Sequence, residues 1–123
     1  MFIQTPLEEM ACAVQPGCKL ALPTDAAGVS MAVAQHILRK AALRLHLVCV
    51  PIAGMAADML IGAGLVETVE TSAISLGEAG GAPCFNRAVK EGSIRLLDAT
   101  CPAILAGFLA AQKGVPFATL RGL

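Results

Sequence analysis

Leu43-Arg44-Leu45-His46-Leu47-Val48-Cys49-Val50, Pro51-Ile52-Ala53-Gly54, Met55-Ala56-Ala57-Asp58-Met59-Leu60-Ile61-Gly62-Ala63-Gly64 and Val66-Glu67-Thr68-Val69-Glu70 decide how this chain is read. The first run is of strand length and apolar apart from Arg44 and His46. Pro51 to Gly54 turns the chain, and Met55 to Ile61 makes a short helix closed by Gly62 and Gly64. Alternating polarity from Val66 to Ile74 then predicts another strand. A membrane span is the competing reading, because Leu47 to Val66 is 20 residues whose only charge is Asp58. Pro51 and three glycines punctuate that stretch, and a mid-span Asp costs about 2.5–3.5 kcal/mol on insertion. Strand, turn, helix and strand explain it better, and no membrane role is expected.

The same alternation extends in both directions. Thr5-Pro6-Leu7-Glu8 has the form of an N-cap, a first-turn Pro and a reciprocal capping Glu. Leu7, Met10, Ala11 and Val14 follow at helical spacing until Pro16-Gly17. Cys18 to Leu22 is the first strand. Thr24 to Gly28 is a turn, leading into a helix whose predicted buried stripe is Ala34, Ile37, Leu38 and Ala41. Beyond the central stretch lies the glycine-rich loop Leu76-Gly77-Glu78-Ala79-Gly80-Gly81-Ala82-Pro83. Pro83 opens a helix with Phe85, Ala88 and Val89 on one face, and Gly92 ends it. Ile94 to Leu97 is a fourth strand. Asp98 to Pro102 caps a helix over Ala103 to Lys113, and Val115 to Leu120 is an edge or irregular strand because of Pro116. Strands alternating with helices predict one α/β domain over residues 1–123, a parallel sheet with helices on both faces.

Composition supports that class. The apolar share is 56%, which a sheet covered on both faces or a large subunit interface would absorb. An oligomer is therefore expected. Nine basic and nine acidic residues cancel, and there is no Trp or Tyr, so nucleic acid is not an expected partner. Five cysteines without a C-x-x-C pair, and a start without a signal-peptide pattern, point to free thiols in the cytoplasm. With only His36 and His46 beside them, no metal site is expected.

Ligands of open parallel sheets bind beyond the carboxyl ends of the strands. That rule selects the loops Thr24 to Gly28, Pro51 to Gly54, Leu76 to Pro83 and Asp98 to Pro102. Glu78 lies between Gly77 and Gly80-Gly81, with no other Asp, Glu, Lys, Arg or His between Glu70 and Arg87. A carboxylate there could act as nucleophile or general base, with nearby backbone N–H groups stabilising an oxyanion. The competing reading is a solvated Glu78 in a loop whose glycines only allow a tight turn. Asp25 and Thr100 read as helix caps, Asp98 as a cap or strand end, Asp58 as a cap or pairing partner near the short helix, and His46 as a core histidine.

The ordered motifs Gly54-Met55-Ala56-Ala57-Asp58-Met59-Leu60-Ile61-Gly62-Ala63-Gly64 and Gly77-Glu78-Ala79-Gly80-Gly81-Ala82-Pro83-Cys84-Phe85-Asn86-Arg87-Ala88 carry a family resemblance. It continues through Gly107 to Ala111, Gly114-Val115-Pro116-Phe117 and Arg121-Gly122. Together they resemble the A (alpha) subunits of family I coenzyme A transferases, especially the glutaconate and 3-oxoadipate types. The resemblance implies a three-layer α/β fold and transfer of coenzyme A between an acyl-CoA and a small carboxylic acid. In that family a glutamate attacks the thioester, passing through an acyl-glutamyl anhydride and a glutamyl-CoA thioester. The nucleophile normally sits on a B-type subunit, while the A-type half supplies part of the pocket.

What is implied here is therefore a truncated A-type subunit acting with a B-type partner, with coenzyme A as substrate and no permanently bound cofactor. Glu78 is the candidate catalytic residue, and Asp25, Gly28, Gly54, Gly80 and Gly81 are candidate substrate or CoA contacts. The loop after the first strand has one glycine where many relatives have several. The rival expectation is a non-catalytic homo-oligomeric binding or assembly module that kept the fold without the chemistry.

Overall fold

Four short strands, each returned to the start of the next by a helix, pair in parallel. A computed structural model of the chain describes residues 5–122; the remaining residues of the expected 1–123 domain lie outside these. The elements run α1 (Leu7–Cys12), β1 (Lys19–Leu22), a 3-10 turn (Asp25–Ala27), α2 (Met31–Ile37), β2 (Leu45–Cys49) and α3 (Gly54–Gly62). They continue with β3 (Val66–Thr71), a second 3-10 turn (Gly77–Ala79), α4 (Pro83–Glu91), β4 (Arg95–Asp98) and α5 (Cys101–Gln112).

The sheet has the order β1-β2-β3-β4, with every pairing parallel. Sequential order with right-handed crossovers puts α2, α3 and α4 on one face. That face holds the core: Leu22, Leu45, Leu47, Cys49 and Val69 from the strands meet Ile37, Leu60, Phe85 and Ala88 from the helices. The opposite face carries Lys19, Ala21, Val48 and Glu70, and among the described residues α5 is the helix that lies across it. Helices thus stand on both sides of the sheet, giving the expected three-layer α/β fold. The strands are not apolar throughout, however. They alternate, since only one face is packed against several helices.

Two carboxylates join consecutive helices. Asp58, on α3, is buried, and its Oδ1 accepts from Phe85 N in the first turn of α4 at 2.8 Å. It therefore caps the helix after its own. Asp25 does the same one step earlier: its Oδ2 accepts from Met55 N in the first turn of α3 at 3.2 Å. Gly54 makes this approach feasible. Its φ is +61°, and a Cβ there would overlap the Asp25 carboxylate. Gly62 has a similar role in packing, because a Cβ would lie 2.6 Å from Cys84 Sγ on α4.

Several sequence expectations shift for local reasons. Thr5 does not cap α1; the N-cap position is Pro6, and no side chain caps that end. Strand β3 stops at Thr71 rather than Ile74, because Thr71 Oγ1 donates to Ala73 O at 2.6 Å and turns the backbone there. Helix α2 ends at Ile37, so Ala41 is exposed instead of joining the stripe. Val89 is likewise exposed, at the edge of the Phe85–Ala88 face. Residues 115–120 form no strand; Val115 N bonds back to Ala110 O at 3.0 Å, and the segment folds along α5. His46 is half-buried on the open face and bonded to Glu70, not enclosed in the core. All five cysteines are free, and among the described residues no helix is long and apolar enough to cross a membrane.

Three measurements test this account. Asp58→Ala is expected to cost about 1.5–3 kcal/mol in urea denaturation, because it removes a charge-assisted bond to a buried N–H; Asp58→Asn should cost less. Gly54→Ala should be strongly destabilising, and Asp25→Ala should relieve part of its cost. A double-mutant cycle then reads a coupling of about 0.5–3 kcal/mol, and additivity would refute the contact. Burial pushes the Cys49 thiol from 9.0 up to about 12, so the native state keeps a proton that the unfolded chain loses. The stability this thiol contributes is present below its unfolded value and declines as pH rises towards the folded one. A urea midpoint that falls with alkaline pH in the wild type, and falls less in Cys49→Val, is the expected signature.

Candidate functional site

At the carboxyl end of the strands, three of the four loops selected from the sequence are joined by backbone bonds. Asp25 N donates to Ile52 O at 3.1 Å, tying the loop after β1 to the loop after β2. Ser75 N donates to Pro51 O at 2.8 Å, tying that second loop to the glycine-rich segment after β3. A Cβ on Gly77 would lie 3.8 Å from Ile52 Cγ2, so these two loops also touch. Pro51 and Ile52 thus form the centre of the edge, with Asp25 on one side and Gly77 on the other.

The glycine-rich loop is closed on itself. Leu76 N donates to Gly80 O at 2.8 Å, Gly80 N to Gly77 O at 3.1 Å, and Gly77 N to Ser75 Oγ at 3.4 Å. Gly77 and Gly80 both have positive φ, +63° and +100°, which only glycine adopts without strain. Glu78 stands exposed at the tip, with no hydrogen bond or ion pair among the described residues. Its carboxylate is presented outward, held by the backbone rather than by neighbouring side chains. Gly81 sits under the next helix, where a Cβ would meet Asn86 Nδ2 at 2.8 Å.

The other sequence-selected residues divide clearly. Asp25 and Gly54 are in direct apposition, the carboxylate engaged with the start of α3. Asp25, expected as a helix cap, does cap a helix, but that helix is α3; the residue before its own 3-10 turn is Thr24. Gly28 closes the 3-10 turn in the left-handed region with open space around it, making no approach to Glu78. Thr100 precedes α5 without a side-chain capping bond, and Asp98 ends β4 exposed. The fourth loop is tied to the end of β3 instead: Ala99 N donates to Thr71 O at 3.2 Å, and Ser72 Oγ and Cys101 Sγ lie 3.3 Å apart.

Sequence reasoning missed Ile52 and Met55. Both are exposed apolar side chains beside this edge, 46% and 54% accessible. Ile52 lies in the selected Pro51 to Gly54 loop and Met55 in the motif that starts at Gly54, but an apolar side chain there carries no chemical signal by itself. Among the described residues, no group of three or more His, Cys, Asp or Glu side chains could hold a metal ion. Chemically, the edge offers a single outward carboxylate, a flexible-residue loop around it and an apolar shoulder.

No protein-family model matches the sequence, and no curated protein matches it. Among solved structures the chain is similar to a crystal structure of a variant of the decarboxylase AibA/AibB, at 19% identity and a TM-score of 0.80. The match covers 93% of this chain but 45% of that one, so the chain spans less than half the length of its structural neighbour. At this identity the likeness speaks for the fold alone, an α/β arrangement around a parallel sheet.

Proposed function

We propose that the chain is an A-type portion of a coenzyme A transferase, helping to move coenzyme A between an acyl-CoA and a small carboxylic acid. The observation that carries this reading is the outward Glu78 on a closed glycine loop, bonded through Pro51 and Ile52 to the loop of Asp25. Two of the sequence motifs resembling the A subunits begin on this edge, at Gly54 and Gly77, and the fold is consistent with them. A B-type partner would supply the nucleophilic glutamate, and coenzyme A would be substrate rather than resident cofactor. Gly80 leaves room for a substrate to approach the backbone, while Gly54 and Gly81 let Asp25 and Asn86 pack closely beside it, and Gly28 lies on the neighbouring loop. Five free thiols are in keeping with a cytoplasmic location.

A second reading has its own support. Leu105 and Leu109 of α5 and Phe117 after it are 53%, 55% and 74% accessible, an apolar surface suited to self-association. On that reading the chain is a homo-oligomeric binding or assembly module without transferase chemistry.

Incubating the purified chain with acyl-CoA and a carboxylate acceptor, alone and with a B-type subunit, separates the two. Exchange of coenzyme A in the presence of the partner is expected. Neither exchange nor acyl-CoA binding under any condition would sink the transferase reading. If Glu78 has a chemical role, Glu78→Ala lowers turnover by about a hundredfold or more; unchanged turnover removes it from catalysis.

A further inference from the structure

The open face of the sheet holds a second constellation, away from the loops. Lys19, His46 and Glu70 come from three adjacent strands, with Lys19 in register with His46 and Val48 with Glu70. Glu70 Oε2 lies 3.2 Å from His46 Nε2 and 3.5 Å from Lys19 Nζ. Sheet faces covered by helices are ordinarily apolar, so three titratable groups beneath α5 call for an explanation.

A cavity of about 310 Å³ separates this face from α5. Lys19 and Glu70 line its polar side, and Val48, Ile104 and Phe108 its apolar walls. The volume falls at the small end of ordinary ligand cavities, about 300–1,000 Å³. Gly107 also lines it, in the middle of α5, where an added Cβ would meet nothing within 4 Å. A mid-helix glycine costs about 1 kcal/mol relative to alanine, and no contact among the described residues requires it.

We propose that this cavity is a binding site for a small apolar molecule carrying both an ammonium and a carboxylate, as an apolar α-amino acid does. The charges decide the class. Lys19 and Glu70 cancel, so the cavity favours neither a simple anion nor a simple cation. Glu70 Oε1 and the remaining Lys19 N–H groups have no protein partner among the described residues, and the two side chains are 30% and 65% accessible. A dipolar ligand satisfies both, its carboxylate accepting from Lys19 and its ammonium donating to Glu70. The apolar side chain then lies between Val48 and α5. His46 is a positioning residue that holds the Glu70 carboxylate at Oε2, the oxygen Lys19 also faces, and leaves Oε1 for the ligand.

The test is calorimetric titration of the full chain with leucine, 4-methylpentanoate and 3-methylbutylamine. Leucine is expected to bind, and each singly charged analogue to bind about tenfold more weakly or worse. Lys19→Met should erase the preference for leucine over the amine, and Glu70→Gln the preference for leucine over the acid. Gly107→Leu and Val48→Phe fill the cavity from opposite sides, and at least tenfold weaker binding is expected from each that remains folded by circular dichroism. No heat with leucine at about 20 mM, or unchanged affinity in a folded cavity-filling variant, overturns the proposal. Glu78→Ala and saturating acyl-CoA should leave leucine binding unaltered, which separates this site from the loop edge; displacement by acyl-CoA would also overturn it.

Discussion

The bond from Asp58 to Phe85 N is the contact on which the arrangement of the loops depends. A buried carboxylate must find donors, because an isolated charge in an apolar interior costs far more than any packing around it returns. Asp58 finds one in the first turn of α4, whose own N-cap residue, Ala82, has no side chain able to accept. The need of the carboxylate and the need of the helix end are met together. Because α4 begins directly after the glycine-rich loop, this one contact sets where that loop must end. Asp25 repeats the device at α3, so the starts of two consecutive helices are held by residues from earlier in the chain. Small residues at Gly54 and Gly62 are what allow the approach.

Around these contacts the sheet is unequal on its two sides. One face meets α2, α3 and α4 and is filled largely by Leu, Val, Cys and Ala side chains. The other meets only α5, and carries Lys19, His46 and Glu70 among smaller apolar groups. Part of the apolar surplus in the composition therefore remains on the surface, along α5 and the segment after it. Surface of that kind is a natural place for another chain, which fits both functional readings, although they differ in what the other chain contributes.

The loop edge and the cavity under α5 use different physics. At the edge, backbone hydrogen bonds and left-handed glycines hold a single carboxylate outward, away from any charged neighbour. Under α5, side chains from separate strands gather opposite charges beside an apolar wall. The first arrangement suits a reaction in which the substrate or a partner completes the site. The second suits reversible binding of something already balanced in charge.

Periodicity and turn chemistry were enough to reveal the order of elements as far as α5, the parallel sheet and the loops at its carboxyl end, but wrongly added a strand over Val115 to Leu120. These features are written in residues close together along the chain: the apolar run before Pro51, the Gly62–Gly64 stop, Pro83 at a helix start. Glu78 at a loop tip was legible for the same reason. Other features were decided only by the tertiary structure. Asp58 and Phe85 are 27 residues apart, Asp25 and Met55 30, and His46 and Glu70 24. No local pattern pairs them, because which carboxylate meets which helix end depends on strand register and on the side of the sheet each crossover takes. The sequence by itself determined the strands and helices and the loop that displays Glu78. Packing alone decided that Asp25 and Asp58 serve helices other than their own, and that His46 faces a cavity-bearing surface rather than the core.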